Sequence, residues 1–126
     1  MKRERVVAVV DDDDSIRASL SSLLKSYDMD VELFSSGEAL LNHATLEDVG
    51  CLLADVVMPG LDGFQLCREL RARGYTFPVI FMTAHKREGY AEMAAALGAL
   101  RLLNKPFSTT DMMRCIAEAL GHSPRP

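Results

Sequence analysis

Cysteine is scarce in this chain of 126 residues, and it is badly spaced for chemistry. Cys51, Cys67 and Cys115 form an odd set with no CxxC pair, which argues against a zinc site and against a disulfide framework. Each sits among apolar residues, so small buried thiols are expected. Positive charge is also short. The net charge is −4, and the basic clusters are brief: Lys2-Arg3, Arg71 with Arg73, and Lys86-Arg87. A nucleic-acid surface needs a broader basic field, so direct nucleic-acid binding is not expected. No apolar run approaches the roughly 20 residues of a membrane span. The apolar stretch after "MKRER" is brief and meets acids at once, unlike a secretory signal. A cytoplasmic chain without membrane contact is the expectation. No internal repeat or low-complexity segment precedes the tail "HSPRP" at 122–126.

What is present suits one ordinary globular core: 48% apolar and 25% charged residues, in a length too small for two comfortable domains. Short apolar runs alternate with longer amphipathic ones. "RVVAVV" (5–10), "VELF" (31–34), "CLLA" (51–54), "PVIFM" (78–82) and "LRLL" (100–103) read as strands, the first β-branched and nearly continuous, as in a strand buried on both faces. Between them, Ile16, Leu20, Leu23 or Leu24 and Tyr27 fall at helical spacing. "GEALLNHA" (37–44) reads as a short helix capped by Ser35 or Ser36. Phe64, Cys67 and Leu70 mark a third helix stopping near Gly74, and "REGYAEMAAALG" (87–98) a fourth. Met112 or Met113, Ile116 and Leu120 mark a last helix closing at Gly121. Five βα units in series predict an α/β doubly wound parallel sheet with helices on both faces.

Ligands of open parallel sheets bind beyond the carboxyl ends of the strands. The first strand delivers Asp11 and Asp12 there, the third Asp55, the fourth Thr83 and the fifth Lys105. Two unit charges about 4 Å apart repel by about 4 kcal/mol at an effective dielectric near 20. Three clustered carboxylates therefore call for a cation, and hard oxygen donors suit Mg²⁺. Asp13 and Asp14 fit better as acids at the start of a helix. Asp55 is the candidate nucleophile, since a carboxylate can attack phosphorus to form an acyl phosphate. Thr83 can donate to a phosphoryl oxygen, and Lys105 can pair with that group or with unmodified Asp55. Pro59, Gly60 and Gly63 shape a tight loop that keeps Asp55 accessible.

The stretches "VVDDDDSIR", "LLADVVMPGLDG", "VIFMTAH" and "LLNKPF" follow one another over essentially the whole chain. Together they strongly resemble the receiver domain of two-component response regulators. The resemblance implies a flavodoxin-like (βα)5 fold, strand order 2-1-3-4-5, over residues 1–121, with 122–126 as a tail or the start of a linker. It implies that Asp55 accepts a phosphoryl group from the phosphohistidine of a sensor histidine kinase or a phosphotransfer protein. Asp12, Asp55 and the backbone carbonyl of Val57 would bind Mg²⁺, with Asp11 helping. It favours a cis bond before Pro106. Phosphorylation would reshape the face of the fourth helix, fifth strand and fifth helix, for a downstream protein target that the sequence does not name. A homodimer on phosphorylation is compatible with it. No DNA-binding segment follows Gly121, so the chain acts through contacts alone or apart from an output domain.

One departure bears on the switch. The family usually carries Tyr or Phe three residues before the lysine, and that ring swings inward; this chain has Leu102. Val57 offers no side chain to orient an attacking water, and His85 reads as a loop residue. Other functions fit less well. A Mg²⁺ phosphohydrolase with an aspartate nucleophile usually has a second acid where Val57 stands, so the chain is expected to be a phosphoacceptor and not a turnover enzyme. A flavin phosphate would be repelled by four acids after the first strand. An EF-hand loop over "DDDDSIRASLSS" has Ile16 where Gly belongs and Ser22 where Glu belongs. A phosphate-independent interaction module of the same fold is the alternative that Leu102 keeps alive.

Overall fold

The computed structural model describes residues 6–43 and 46–121. The strands are β1 (Val6–Val10), β2 (Val31–Phe34), β3 (Val49–Asp55), β4 (Val79–Thr83) and β5 (Arg101–Asn104). The helices are α1 (Asp14–Ser26), α2 (Gly37–Leu41), α3 (Gly63–Ala72), α4 (Tyr90–Ala96) and α5 (Thr109–Ala119). All strand pairs are parallel, in the order β2-β1-β3-β4-β5. This is the flavodoxin-like order that the resemblance implies.

The central strands are β-branched or apolar at nearly every position because both of their faces are covered. Successive side chains point to opposite faces. Val7, Val9, Cys51, Leu53, Ile80 and Met82 pack with Leu20 and Leu24 of α1 and with Met112 and Ile116 of α5. Ala8, Val10, Leu52, Ala54 and Phe81 pack on the other face with Leu40, Leu66, Leu70 and Ala94, from α2, α3 and α4. The three cysteines are buried free thiols, and burial pushes Cys51 up to about 12. No helix among the described residues is long and apolar enough to cross a membrane.

Helix starts follow local chemistry. Asp13 caps α1 by accepting from the amides of Ser15 and Ile16, Ser36 caps α2, and Ser108 caps α5. Asp62 and Gln65 form a reciprocal capping box at α3. Some boundaries differ from the sequence pattern. Helix α4 begins at Tyr90 and not at Arg87, because Gly89 adopts a left-handed φ of 90°. Helix α2 ends at Leu41, with Asn42 as its C-cap; Ala44, which the pattern included, lies outside the described residues. Strand β3 starts two residues early, after a 3-10 turn at Leu46–Asp48. Tyr27 is not on the buried stripe of α1: it is the C-cap and is 53% exposed. The Lys105-Pro106 bond is cis.

Gly63 shows how tightly α3 is set against the end of β3. Its amide donates to the Val56 carbonyl at 2.9 Å. A Cβ there would lie 2.4 Å from the Asp55 carbonyl oxygen and 3.0 Å from the Val56 Cα. Neither is the end of a flexible side chain, so backbone must move. Gly63→Ala is therefore expected to destabilise the protein by about 2 kcal/mol, the overpacking penalty exceeding the gain of about 1 kcal/mol in helix propensity. Urea unfolding measures this, and a neutral or stabilising result would show that the packing yields freely.

Candidate functional site

Strand register assembles the site. Val10 lies opposite Ala54, so Asp11 and Asp55 follow as neighbours at the ends of β1 and β3. Asp55 lies opposite Met82, which places Thr83 one residue further along β4. Thr83 pairs with Asn104, and the Lys105 amide donates to the Thr83 carbonyl at 2.7 Å. The long Lys105 side chain then reaches back over β4. Its Nζ donates to Asp11 Oδ2 at 2.8 Å and to Asp55 Oδ2 at 3.3 Å. One ammonium thus joins three strand ends.

The carboxylates are held differently. Asp11 is fully buried, and its Oδ1 accepts from the Asp13 amide at 2.9 Å. Asp12 is exposed. Asp55 is 8% exposed, and its Oδ1 accepts a long 3.4 Å bond from the Val57 amide. Burial and then the Asp11 charge push the Asp55 carboxyl above its ordinary range, against the pull of Lys105. Burial alone would lower Lys105, but its bond to Asp11 and the charges of Asp11 and Asp55 outweigh this and raise it. Lys105 therefore stays charged, and it is outnumbered.

Asp11, Asp12 and Asp55 each present a carboxylate oxygen, all within 4.8 Å of one another. With the three ionised and Lys105 compensating one, two negative charges are left over. Clustered hard oxygens with that surplus fit a divalent cation such as Mg²⁺. A carboxylate can act as a nucleophile, and Asp55 is one of the two buried acids of this cluster.

Thr83 is fully buried at the same edge. Its hydroxyl accepts from the His85 amide at 3.2 Å and donates to the His85 carbonyl at 3.1 Å. The His85 side chain is exposed in the loop after β4. Val57 turns its side chain to solvent, 51% exposed. Leu102 lies on β5 opposite Phe81, half-buried against the α2–α3–α4 side of the core. It is not among the groups that meet at Lys105.

Two supporting residues escaped the sequence pattern. The Arg17 guanidinium donates to the Asp11 carbonyl and to the Asp14 carboxylate, tying α1 to the loop that bears the acids. Its spacing of three from Asp14 was a usable signal. Glu38 Oε2 accepts from the Leu61 amide at 3.2 Å, bracing the loop after Asp55. The two are 23 residues apart, and nothing in the sequence pairs them.

Residues 7–117 match the family model for the response regulator receiver domain. The transcriptional regulatory protein FixJ of Azorhizobium caulinodans is 41% identical over 117 residues, covering 93% of this chain and 56% of FixJ. The response regulator protein TodT of Pseudomonas putida is 35% identical, covering 98% of this chain and 54% of TodT. The chain thus spans a little over half the length of these curated relatives. Among solved structures, the response regulator StyR superposes with a TM-score of 0.87 at 37% identity, covering 93% of this chain and 59% of that one.

The charge balance at Asp55 has a measurable consequence. Its carboxyl is raised in the folded protein, so folding is favoured while it is protonated. That advantage is lost as pH rises from about 4, the ordinary carboxylate range, through the raised value. Asp55→Asn removes the repulsion and leaves Lys105 its bond to Asp11. In chelator at pH 7 the variant is expected to be more stable by about 1 kcal/mol, the scale of one partly screened charge contact. The difference should shrink toward zero below about pH 4, and added Mg²⁺ should narrow it by stabilising the parent. Urea unfolding across pH checks this; a less stable Asn variant at pH 7 would contradict it.

Proposed function

The chain belongs to the response regulator receiver domain family, and from that premise we propose that it is a phosphorylatable switch with Asp55 as phosphoacceptor. The observation that carries the reading is the Lys105 ammonium bridging Asp11 and Asp55. An Asp55 carboxylate oxygen attacks the phosphorus of a phosphohistidine. The new O–P bond forms as the P–N bond breaks, and the imidazole leaves with the electron pair. Lys105 then pairs with a phosphoryl oxygen, and Thr83 donates to another. Asp11, Asp12, Asp55 and the Val57 carbonyl would hold Mg²⁺, which would offset the charge of the phosphoryl group. The apolar Val57 side chain gives a hydrolytic water nothing to bind, so Asp55 stores the group and does not turn over a free substrate.

The donor is a sensor histidine kinase or a phosphotransfer protein. A largely apolar groove of about 360 Å³ leads away from Lys105, between α1 and the segment after β5, lined by Ile16, Leu20, Leu23, Pro106 and Phe107. A helix seated there would bring its histidine beside Asp55. The output is a changed α4–β5–α5 face, read by a downstream partner, by a second copy or by an output domain such as the remaining length of its relatives allows. Residues 1–121 form the switch unit; the tail at 122–126 lies outside the described residues. We assign the protein to the cytoplasm, where such donors present phosphohistidine. Leu102 supports a second reading, in which the fold binds its partner regardless of phosphate. Partner affinity unchanged by Asp55→Asn and by phosphodonor would favour it.

Two outcomes are expected. Asp55→Asn and Asp55→Ala should lose labelling by a small phosphodonor such as phosphoramidate, and a chelator should abolish it in the parent. Label persisting on another residue, or indifference to chelation, would refute the assignment. Ser19→Arg, at an exposed position on the groove, should slow transfer from a phosphohistidine protein by about tenfold, equivalent to about 1.4 kcal/mol. Labelling by phosphoramidate should be unaffected, and equal slowing of both would remove the groove from the mechanism.

A further inference from the structure

Thr83 is committed before any phosphate arrives. Both hydrogen-bonding roles of its hydroxyl are taken by the His85 backbone. To donate to a phosphoryl oxygen on Asp55 it must release the His85 carbonyl, which then needs a new partner. Residues 84–89 are exposed throughout, so that loop can shift at little cost in buried surface. It ends at Gly89, where φ is 90° and a Cβ would touch nothing within 4 Å. The next residue is Tyr90, the first of α4.

Tyr90 is the only aromatic residue of α4. Its ring stands edge-on to Phe64 at 5.4 Å, and Phe64 stands edge-on to Phe81 at 4.9 Å. Phe81 is the register partner of Leu102. Tyr90 also borders two hollows. One, of about 360 Å³, includes Val57 and Met58, just past Asp55. The other, of about 220 Å³, includes Leu102 and Asn104. The hollow beside Leu102 is half open to solvent and also bordered by Lys86, Arg87 and Glu88; its volume exceeds the roughly 150 Å³ that holds a benzene molecule, and a tyrosine ring, apolar in its body and polar at its tip, suits such a space.

We propose that Tyr90 is the moving aromatic of this switch, its ring passing toward the hollow beside Leu102 when Thr83 leaves His85. The inference rests on Asp55 being the phosphoacceptor. It assigns to α4 the signal that the resemblance places on a β5 ring, and Leu102 keeps the receiving space open. The energy scale is suitable. An edge-to-face aromatic pair contributes about 0.5–1.5 kcal/mol, so exchanging the Phe64 contact for burial beside Leu102 is a small step that one hydrogen bond at Thr83 can bias. Movement of the ring alters the exposed start of α4.

The chain has no tryptophan and three tyrosines, Tyr27, Tyr75 and Tyr90. Labelling with 3-fluorotyrosine therefore yields three fluorine signals, and Tyr90→Phe identifies the third. Beryllofluoride with Mg²⁺ serves as the phosphoryl mimic, and its own bound fluorine signal reports occupancy of Asp55. The Tyr90 signal should shift on binding while Tyr27 and Tyr75 hold still. In Leu102→Phe, whose ring occupies the hollow, the mimic should still bind and the Tyr90 shift should be lost. A bound mimic with an unmoved Tyr90 signal in the parent would overturn the proposal, as would an equal shift in Leu102→Phe. No bound mimic at all in the parent would refute the phosphoacceptor reading, and this inference with it.

Discussion

The structure turns on one ammonium shared between two carboxylates. Lys105 reaches Asp11 and Asp55 from the end of another strand. It cannot neutralise both, and Asp12 adds a third acid nearby. The sheet edge therefore carries a standing electrostatic deficit, felt most at Asp55, whose carboxyl is raised by burial and by Asp11. Anything that brings positive charge to Asp55, or consumes its negative charge, relieves the deficit.

The fold supplies that crowding without strain. β1 and β3 are adjacent, yet α1 packs on one face of the sheet and α3 on the other. Their loops part at this point and leave a crevice, as open α/β sheets do where the strand order reverses. Asp11 is anchored on three sides, by Lys105, by the Asp13 amide and by Arg17 at its carbonyl. Asp55 is anchored through its backbone, against Gly63 and Val56. A fixed backbone under a side chain held only by bonds of 3.3 and 3.4 Å keeps the buried carboxylate in place at the sheet edge.

Much of this was legible in the sequence because it is written in short-range patterns. Apolar runs marked the strands, and four of the five led to residues that the fold brings to one edge: Asp11, Asp55, Thr83 and, one residue further on past Asn104, Lys105. Caps such as Asp13 and Ser36 follow from local hydrogen bonding. What was not legible depends on partners far along the chain. Periodicity put Tyr27 on the buried stripe, but the helix ends there and the side chain turns to solvent. Helical composition ran through "REG", but a left-handed Gly89 starts α4 three residues later. Glu38 is an unremarkable helix acid until the fold brings the Leu61 amide to it. That Lys105 spans β4 to reach two acids follows from side-chain length and sheet order together.

The helices around the sheet are not held equally. α1, α2, α3 and α5 each begin with a side chain accepting from the helix's own amides. α4 begins at glycine without such a bond. A side-chain cap contributes about 1 kcal/mol, so α4 forgoes support that its neighbours have. It is seven residues long, and Ala94 is its one buried residue. It lies over β5, an edge strand whose end residues are exposed. Elements with few buried apolar contacts open at the lowest free energy. Couplings between sites are typically only about 1–3 kcal/mol, too little to move α1 or α5 against their buried leucines and methionines. With no side-chain cap and one buried residue, α4 is the helix of this sheet with the least such anchoring to overcome.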